Sequence, residues 1–288
     1  MGRILVAGDI HGVTSHAVTL LGIARKQECA RVFVLGDFGA WEHMRDGRHY
    51  FDVVDRAARR QQLIVYFLDG NHDKSSLVRE LYGEHLDDEG FLVCRKNIRY
   101  APRGHRWTWD GTRFAAFGGA YSVDKPWRLA MEALRERKAE RRRVFGSSRR
   151  PATTESLWFP EEQMTDEEFD ALLAADESPV EVLLSHDKPR ASAPALNRKT
   201  APECLPNQDR IQRAVHTLRP QVLLHGHLHY RYTDVIDRGD GGLTRVEGLG
   251  ADPDTAPQPG YDRADSWLVL PLPYQHDAVG EELASRAG

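Results

Sequence analysis

The chain has 288 residues, 41% hydrophobic and 28% charged, with a formal net charge of −4 at pH 7. That length supports a large α/β core, and the charge balance argues against a global field for binding polyanions. No apolar run approaches the ~18 residues that a membrane span needs. The three cysteines, Cys29, Cys94 and Cys204, show no CxxC spacing, which points to reduced thiols and a cytoplasmic setting.

The first predicted element is the strand "RILVA" (3–7), which begins too early to follow a discarded leader. Further Val/Ile/Leu-rich runs follow at "RVFVL" (31–35), "LIVYFL" (63–68), "VEVLL" (180–184) and "QVLLH" (221–225). Continuous apolar runs of this length suit strands buried on both faces of a sheet. Helices are predicted between them over 15–27, 48–62 and 73–82. Strand, loop, helix, strand is the alternation of an α/β fold. "RWTWDGTRFAAFGGAY" (106–121) reads as a hairpin turning at Asp110-Gly111, with Trp107 and Trp109 as packing residues on one face. A second hairpin is predicted over 229–248, so a second sheet is expected to pack on the first.

Residues 121–178 read as a helical insertion or cap. A basic helical stretch, "KPWRLAMEALRERKAERRRVFGSSRR" (125–150), ends in a Gly/Ser turn. An acidic helix follows, with Thr165 as its N-cap. The basic run reads first as a solvated helix, with Glu132, Glu136 and Glu140 spaced to pair with neighbouring cations. A grip on phosphate-rich polymers is the alternative. Trp127, Trp158 and Phe159 read equally as stacking platforms or as pins for the insertion. The domain is expected to span 1–272, followed by a weakly structured tail (273–288).

The chemistry lies just beyond each strand. There the sequence places Gly8-Asp9-Ile10-His11-Gly12, Gly36-Asp37-Phe38-Gly39, Asp69-Gly70-Asn71-His72-Asp73, Ser185-His186-Asp187 and His225-Gly226-His227-Leu228-His229. The carboxyl edge of an open α/β sheet is where ligands bind. Asp, Asn and His suit a hard or borderline divalent cation, and the absence of cysteine argues against a thiolate zinc site. The set is too large for one tetrahedral ion, so two ions are expected. If 225–229 were extended, alternation would put His227 and His229 on one face.

In this order the motifs "GDIHG", "GDFG", "GNHD", "SH" and "GHLH" span residues 8–229. Together they resemble the calcineurin-like metallophosphoesterase superfamily. The stretches "FGGAYSVDKPWR" and "WFPEE" are similar to its small members from actinobacteria and their phages. The resemblance implies a four-layer α/β/β/α sandwich of two mixed sheets, with a dinuclear metal site at the C-terminal strand ends. It implies that Asp9, His11 and His229 bind one metal, that Asp37 bridges, and that Asn71, His186 and His227 bind the second. His72 would contact the phosphate and protonate the leaving group, and Asp73 would orient His72. A metal-bridging hydroxide would attack phosphorus. Mn2+ is the first expectation, with Fe, Zn, Ni or Co as alternatives. Tyr121, Arg128 and Trp41 are candidate substrate contacts, and Glu42 and His43 follow Trp41 as pocket candidates. "GDFGAWEH" lacks the GDxVDRG continuation of the protein phosphatases and of the symmetrical dinucleoside tetraphosphatases. The expected activity is therefore a phosphodiesterase or phosphatase acting on a small phosphoester or nucleotide. The alternatives are a nuclease using the basic insertion and a non-catalytic phosphate-binding scaffold.

Overall fold

The computed structural model describes residues 2–144, 158–194, 200–255 and 262–275. Its first half alternates strand and helix: β1 (Gly2–Ala7), α1 (Thr14–Lys26), β2 (Arg31–Leu35), α2 (Arg45–Gln61), β3 (Ile64–Leu68) and α3 (Ser75–Tyr82). Two short strands, β4 (Leu92–Arg95) and β5 (Ile98–Tyr100), then precede the hairpin β6 (Arg106–Trp109) and β7 (Thr112–Phe117). The Asp110-Gly111 turn has φ of 48° and 81°, the left-handed backbone that a two-residue hairpin turn demands.

The helices α4 (Lys125–Val144) and α5 (Asp166–Ala175) follow. Thr165 Oγ1 accepts the Glu168 backbone N–H at 3.1 Å and caps α5. The Gly/Ser turn expected at 146–148 and the tail beyond 275 lie outside the described residues. The chain continues with β8 (Val182–Ser185), α6 (Leu205–Leu218), β9 (Val222–His225), the hairpin β10 (Tyr232–Asp237) and β11 (Leu243–Gly248), and β12 (Trp267–Leu272).

These strands build two mixed six-stranded sheets, in the orders β12-β1-β2-β3-β5-β4 and β10-β11-β9-β8-β7-β6. The central strands β1, β2, β3 and β5 pair in parallel, as do β7, β8, β9 and β11. Pro271 is tolerated in β12 because that strand lies at a sheet edge.

Alternate residues of the central strands face two different cores, which accounts for their continuous apolar sequence. Leu5, Val34 and Phe67 pack under α1 and α2. Ile4, Phe33 and Leu68 pack between the sheets against Trp107, Phe114 and Leu184. Leu183 and Leu223 face Ile211 and Val215 of α6 and Phe169 of α5. The result is a four-layer α/β/β/α sandwich. Trp107 and Trp109 belong to the middle core, with the Trp107 and Phe114 rings stacked at 5.2 Å. No helix among the described residues is long and apolar enough to cross a membrane.

Candidate metal centre

The loops after β1, β2, β3, β8 and β9 meet at one edge of the sandwich. Asp9, His11, Asp37 and His229 each offer a ligand atom, and these atoms lie within 4.8 Å of one another. His229 Nε2 is 3.0 Å from Asp9 Oδ2, and His11 Nε2 is 3.3 Å from Asp37 Oδ2. On the other side of Asp37, His186 Nε2 lies 3.6 Å from Asp37 Oδ2 and 2.9 Å from Asn71 Oδ1. The His227 ring centre is 5.0 Å from that of His186, and the His227 backbone N–H donates to Asp9 Oδ1 at 2.9 Å. His72 Nε2 is 3.8 Å from Asp37 Oδ2 and 3.3 Å from Arg128 Nη2.

Tight local backbone brings these side chains together. His11, Asp37, His227 and His229 have φ of 49°, 45°, 66° and 62°, a left-handed conformation that non-glycine residues adopt at a cost and that clusters at functional sites. Glycines allow the close approaches, Gly70 against Asp37 Oδ1 among them. A Cβ at Gly226 would strike Asp9 Oδ1, and one at Gly36 would strike the His186 ring. β9 ends at His225, so alternation along an extended strand does not place His227 and His229. Left-handed turns beyond the strand place them instead.

The polar partners set each ring and amide. His186 Nδ1 donates to the Leu35 carbonyl at 2.7 Å, which turns Nε2 toward Asp37. Asn71 Nδ2 donates to Ser122 Oγ at 3.0 Å, which leaves Oδ1 facing His186. His225 is fully buried, donates from Nδ1 to the Gly226 carbonyl at 2.8 Å and accepts from Tyr232 Oη at 2.6 Å. It stands behind the cluster, and burial pushes its imidazole down to about 3.

Asp9 and Asp37 are each 1% exposed. Asp37 Oδ2 has no hydrogen-bond partner among the described residues. Burial opposes ionisation of Asp37, but His72 and His186 outweigh it and hold the carboxyl well below its usual range. The rings respond in kind. Burial favours neutral His11 and His186, yet Asp252 and Asp37 push His11 well up, and Asp37 pushes His186 up to about 10. Two buried carboxylates thus draw cationic charge to one point, and a divalent cation replaces such protons when it binds His and Asp ligands. The donor set, all oxygen and imidazole nitrogen, fits that role.

Several expected contacts fall elsewhere. Asp73 does not orient the His72 ring. Its carboxylate accepts the backbone N–H groups of Phe38, Gly39, Ala40 and Gly70 at 2.8–3.0 Å, which clamps the Asp37 loop to the Asn71 loop. His72 Nδ1 is buried without a partner among the described residues. Glu42 turns from the pocket to bind Tyr82 Oη at 2.6 Å and Arg95 at 2.7 Å. Trp41 donates from its indole N–H to the His72 carbonyl, and Arg128 reaches His72 from α4. Tyr121 is half-buried, with the Lys125 ammonium 6.0 Å from its ring centre. Phe159 is buried as a pin, whereas Trp127 is 59% exposed.

A family profile described as calcineurin-like phosphoesterase matches residues 2–231. The chain belongs to that family. Among solved structures, one is 12% identical over 86% of this chain and 90% of its own, with a TM-score of 0.52, and shares the fold. A dimetal phosphatase from Danio rerio is 14% identical over 87% of each chain, with a TM-score of 0.48. The phosphopantetheinyl hydrolase of Mycobacterium tuberculosis is 19% identical over 91% of this chain and 99% of its own, with a TM-score of 0.42. No curated protein matches the sequence significantly. Family and Asp/His cluster together support a metal-dependent phosphoesterase in general terms.

Proposed function

We propose that this phosphoesterase hydrolyses a small phosphodiester, with cyclic and linear nucleotides as the first substrates to test and phosphomonoesters second. The observation that carries the reading is Asp37 Oδ2, buried and without a hydrogen bond among the described residues, between two sets of imidazole and oxygen donors. Asp9, His11, His229 and Asp37 would hold one divalent ion. Asp37, Asn71, His186 and His227 would hold a second. Mn2+ is the first candidate for both. Such ions, when bound, supply Lewis acidity toward the phosphate oxygens and toward water.

The chain's own groups do the rest. The Arg128 guanidinium, oriented by Asp124 Oδ2 at 2.7 Å, offers planar donors for a non-bridging phosphate oxygen. His72 rests neutral, since burial pushes its imidazole down to about 4, and its Nε2 faces Arg128 and Asp37. Phosphate entering there adds negative charge that favours the protonated ring. His72 Nε2 would then hold the proton that the leaving oxygen takes. Asp73 serves the site by fixing both loops. In this reading, residues 121–178 are a cap on a domain spanning 1–272, and the enzyme is a small bacterial or phage-type member. Three buried cysteines with no disulfide among the described residues support a cytoplasmic setting.

The test is hydrolysis of bis(p-nitrophenyl) phosphate and p-nitrophenyl phosphate by metal-stripped protein, with and without Mn2+, beside His72→Ala. Mn2+-dependent diester cleavage that the variant loses supports the proposal. Monoester cleavage alone moves the substrate to the second class. Mn2+ binding without turnover of either compound overturns it in favour of a scaffold. The exposed cations Arg135, Arg137, Lys138 and Arg141 of α4 keep a nuclease as the second reading. Its mark would be oligonucleotide binding that weakens steeply with salt.

A further inference from the structure

The region matched by the family profile ends at residue 231, yet a later carboxylate reaches the centre. Asp252 lies in the segment that follows β11 and is fully buried. Its backbone N–H donates to the Asp9 carbonyl at 2.9 Å. Its Oδ2 accepts from His11 Nδ1 at 2.8 Å and from Thr255 Oγ1 at 2.6 Å. Its Oδ1 accepts the backbone N–H groups of Asp254 and Thr255 at 3.0 and 3.2 Å. The carboxylate is therefore held by its own turn as well as by His11. The same segment is tied to the turn before β12, with Gly250 N–H donating to the Asp265 carbonyl at 2.9 Å.

We propose that Asp252 is a positioning residue of the metal centre, a role that rests on the metal reading given above. With Nδ1–H committed to Asp252, His11 turns Nε2 toward Asp37, where its lone pair would be free for a cation that displaces the ring's second proton. The carboxylate also makes that nitrogen a more basic ligand, as such partners do for metal-bound histidines. His11 has left-handed backbone, so its side chain needs an anchor beyond its own loop. The C-terminal segment supplies that anchor and couples the affinity of one metal position to residues 249–255.

The test uses the full chain stripped of metal. Mn2+ binding is followed by electron paramagnetic resonance of the free ion for wild type, Asp252→Asn and Asp252→Ala, with denaturation of each metal-free protein alongside. Wild type is expected to bind two equivalents. Asp252→Asn is expected to keep one at wild-type affinity and to weaken the other by about 10–100-fold, with Asp252→Ala at least as weak. Lower stability with both affinities unchanged would reduce Asp252 to a structural role and overturn the proposal alone. A wild type that binds no Mn2+ would overturn the metal reading and this proposal with it. Should the variants fail to fold, 15N imidazole spectra of the Zn2+-loaded wild type decide. Ligation through Nε2 with a protonated Nδ1 on His11 supports the proposal, and ligation through Nδ1 overturns it.

Discussion

His186 Nε2 lies 3.6 Å from Asp37 Oδ2, and both side chains are closed to solvent. The two do not hydrogen-bond at that distance, and Asp37 Oδ2 has no hydrogen-bond partner among the described residues. A bridging cation would resolve this, so Asp37→Asn is expected to lose Mn2+ binding at both positions. Lewis acidity worth several kcal/mol then goes with it, a loss of at least about a thousandfold in kcat/KM. The metal-free variant should be less stable than metal-free wild type at neutral pH, because the buried His11 and His186 imidazoles lose the carboxylate that pairs with them. Calorimetric Mn2+ titration and chemical denaturation check both halves. A variant that binds two equivalents as tightly as wild type would contradict the bridging role.

The strands that carry this centre are visible in the sequence because burial on both faces leaves unbroken apolar runs. The weakly patterned elements are not. β4 and β5 are too short to show a period, and β12 contains Pro271, which argues against a strand until its edge position is known. The ligand-type residues stand out for a similar reason, since each directly follows a strand. Asp252 and Ser122 give no such signal. They follow no predicted strand and have no metal-ligand spacing, and only the folded chain brings them beside His11 and Asn71. Asp73 shows the converse error. The family resemblance implies that Asp73 orients the His72 ring, but its carboxylate satisfies four backbone amides of two loops, a demand that sequence does not display.

Arg128 Nη2 and His72 Nε2 are 3.3 Å apart, so the two groups would share the phosphate while doing different work. Arg128→Ala is expected to raise KM by about ten- to a hundredfold, as loss of a charge-assisted hydrogen bond of ~1.5–3 kcal/mol implies, with a smaller effect on kcat. Arg128→Lys should recover only part, because a point charge replaces a planar fork. His72→Ala should instead act mainly on kcat. Steady-state kinetics with a diester separate these patterns, and an unchanged KM in Arg128→Ala would remove the arginine from the substrate site.

The Asp69 carboxylate accepts Tyr100 Oη at 2.8 Å and Arg103 Nε and Nη2 at 2.9 and 2.7 Å, and the ion pair is nearly closed to solvent. Arg103 also donates to the Glu161 carbonyl at 2.6 Å, so this pair ties the end of β3 to the segment before α5. Arg103→Met leaves a buried carboxylate uncompensated and is expected to cost about 3–5 kcal/mol. Adding Asp69→Asn should return much of that. Urea denaturation of the two single variants and the double measures the coupling, and strictly additive losses would show that the pair is not a unit.

His105 gives the fold a dependence on pH that is separate from the metal centre. Its ring lies 4.4 Å from Phe91 and is stacked 5.3 Å from Trp107, and Nε2 has no hydrogen-bond partner among the described residues. Burial pushes the imidazole down to about 4 despite the nearby Asp87 carboxylate. The folded state therefore binds this proton less readily than the unfolded chain, whose histidine titrates near 6.5. The contribution is complete above about pH 6.5 and is lost as pH falls toward 4, with a slope of no more than about 1.4 kcal/mol per pH unit. His105→Phe should flatten the stability profile in that window, measured by urea denaturation of metal-free protein from pH 4 to 7.5. A His105→Phe profile as steep as that of wild type would mean that the acid sensitivity belongs to other buried groups, His16 first among them, since burial pushes it down to about 4 as well.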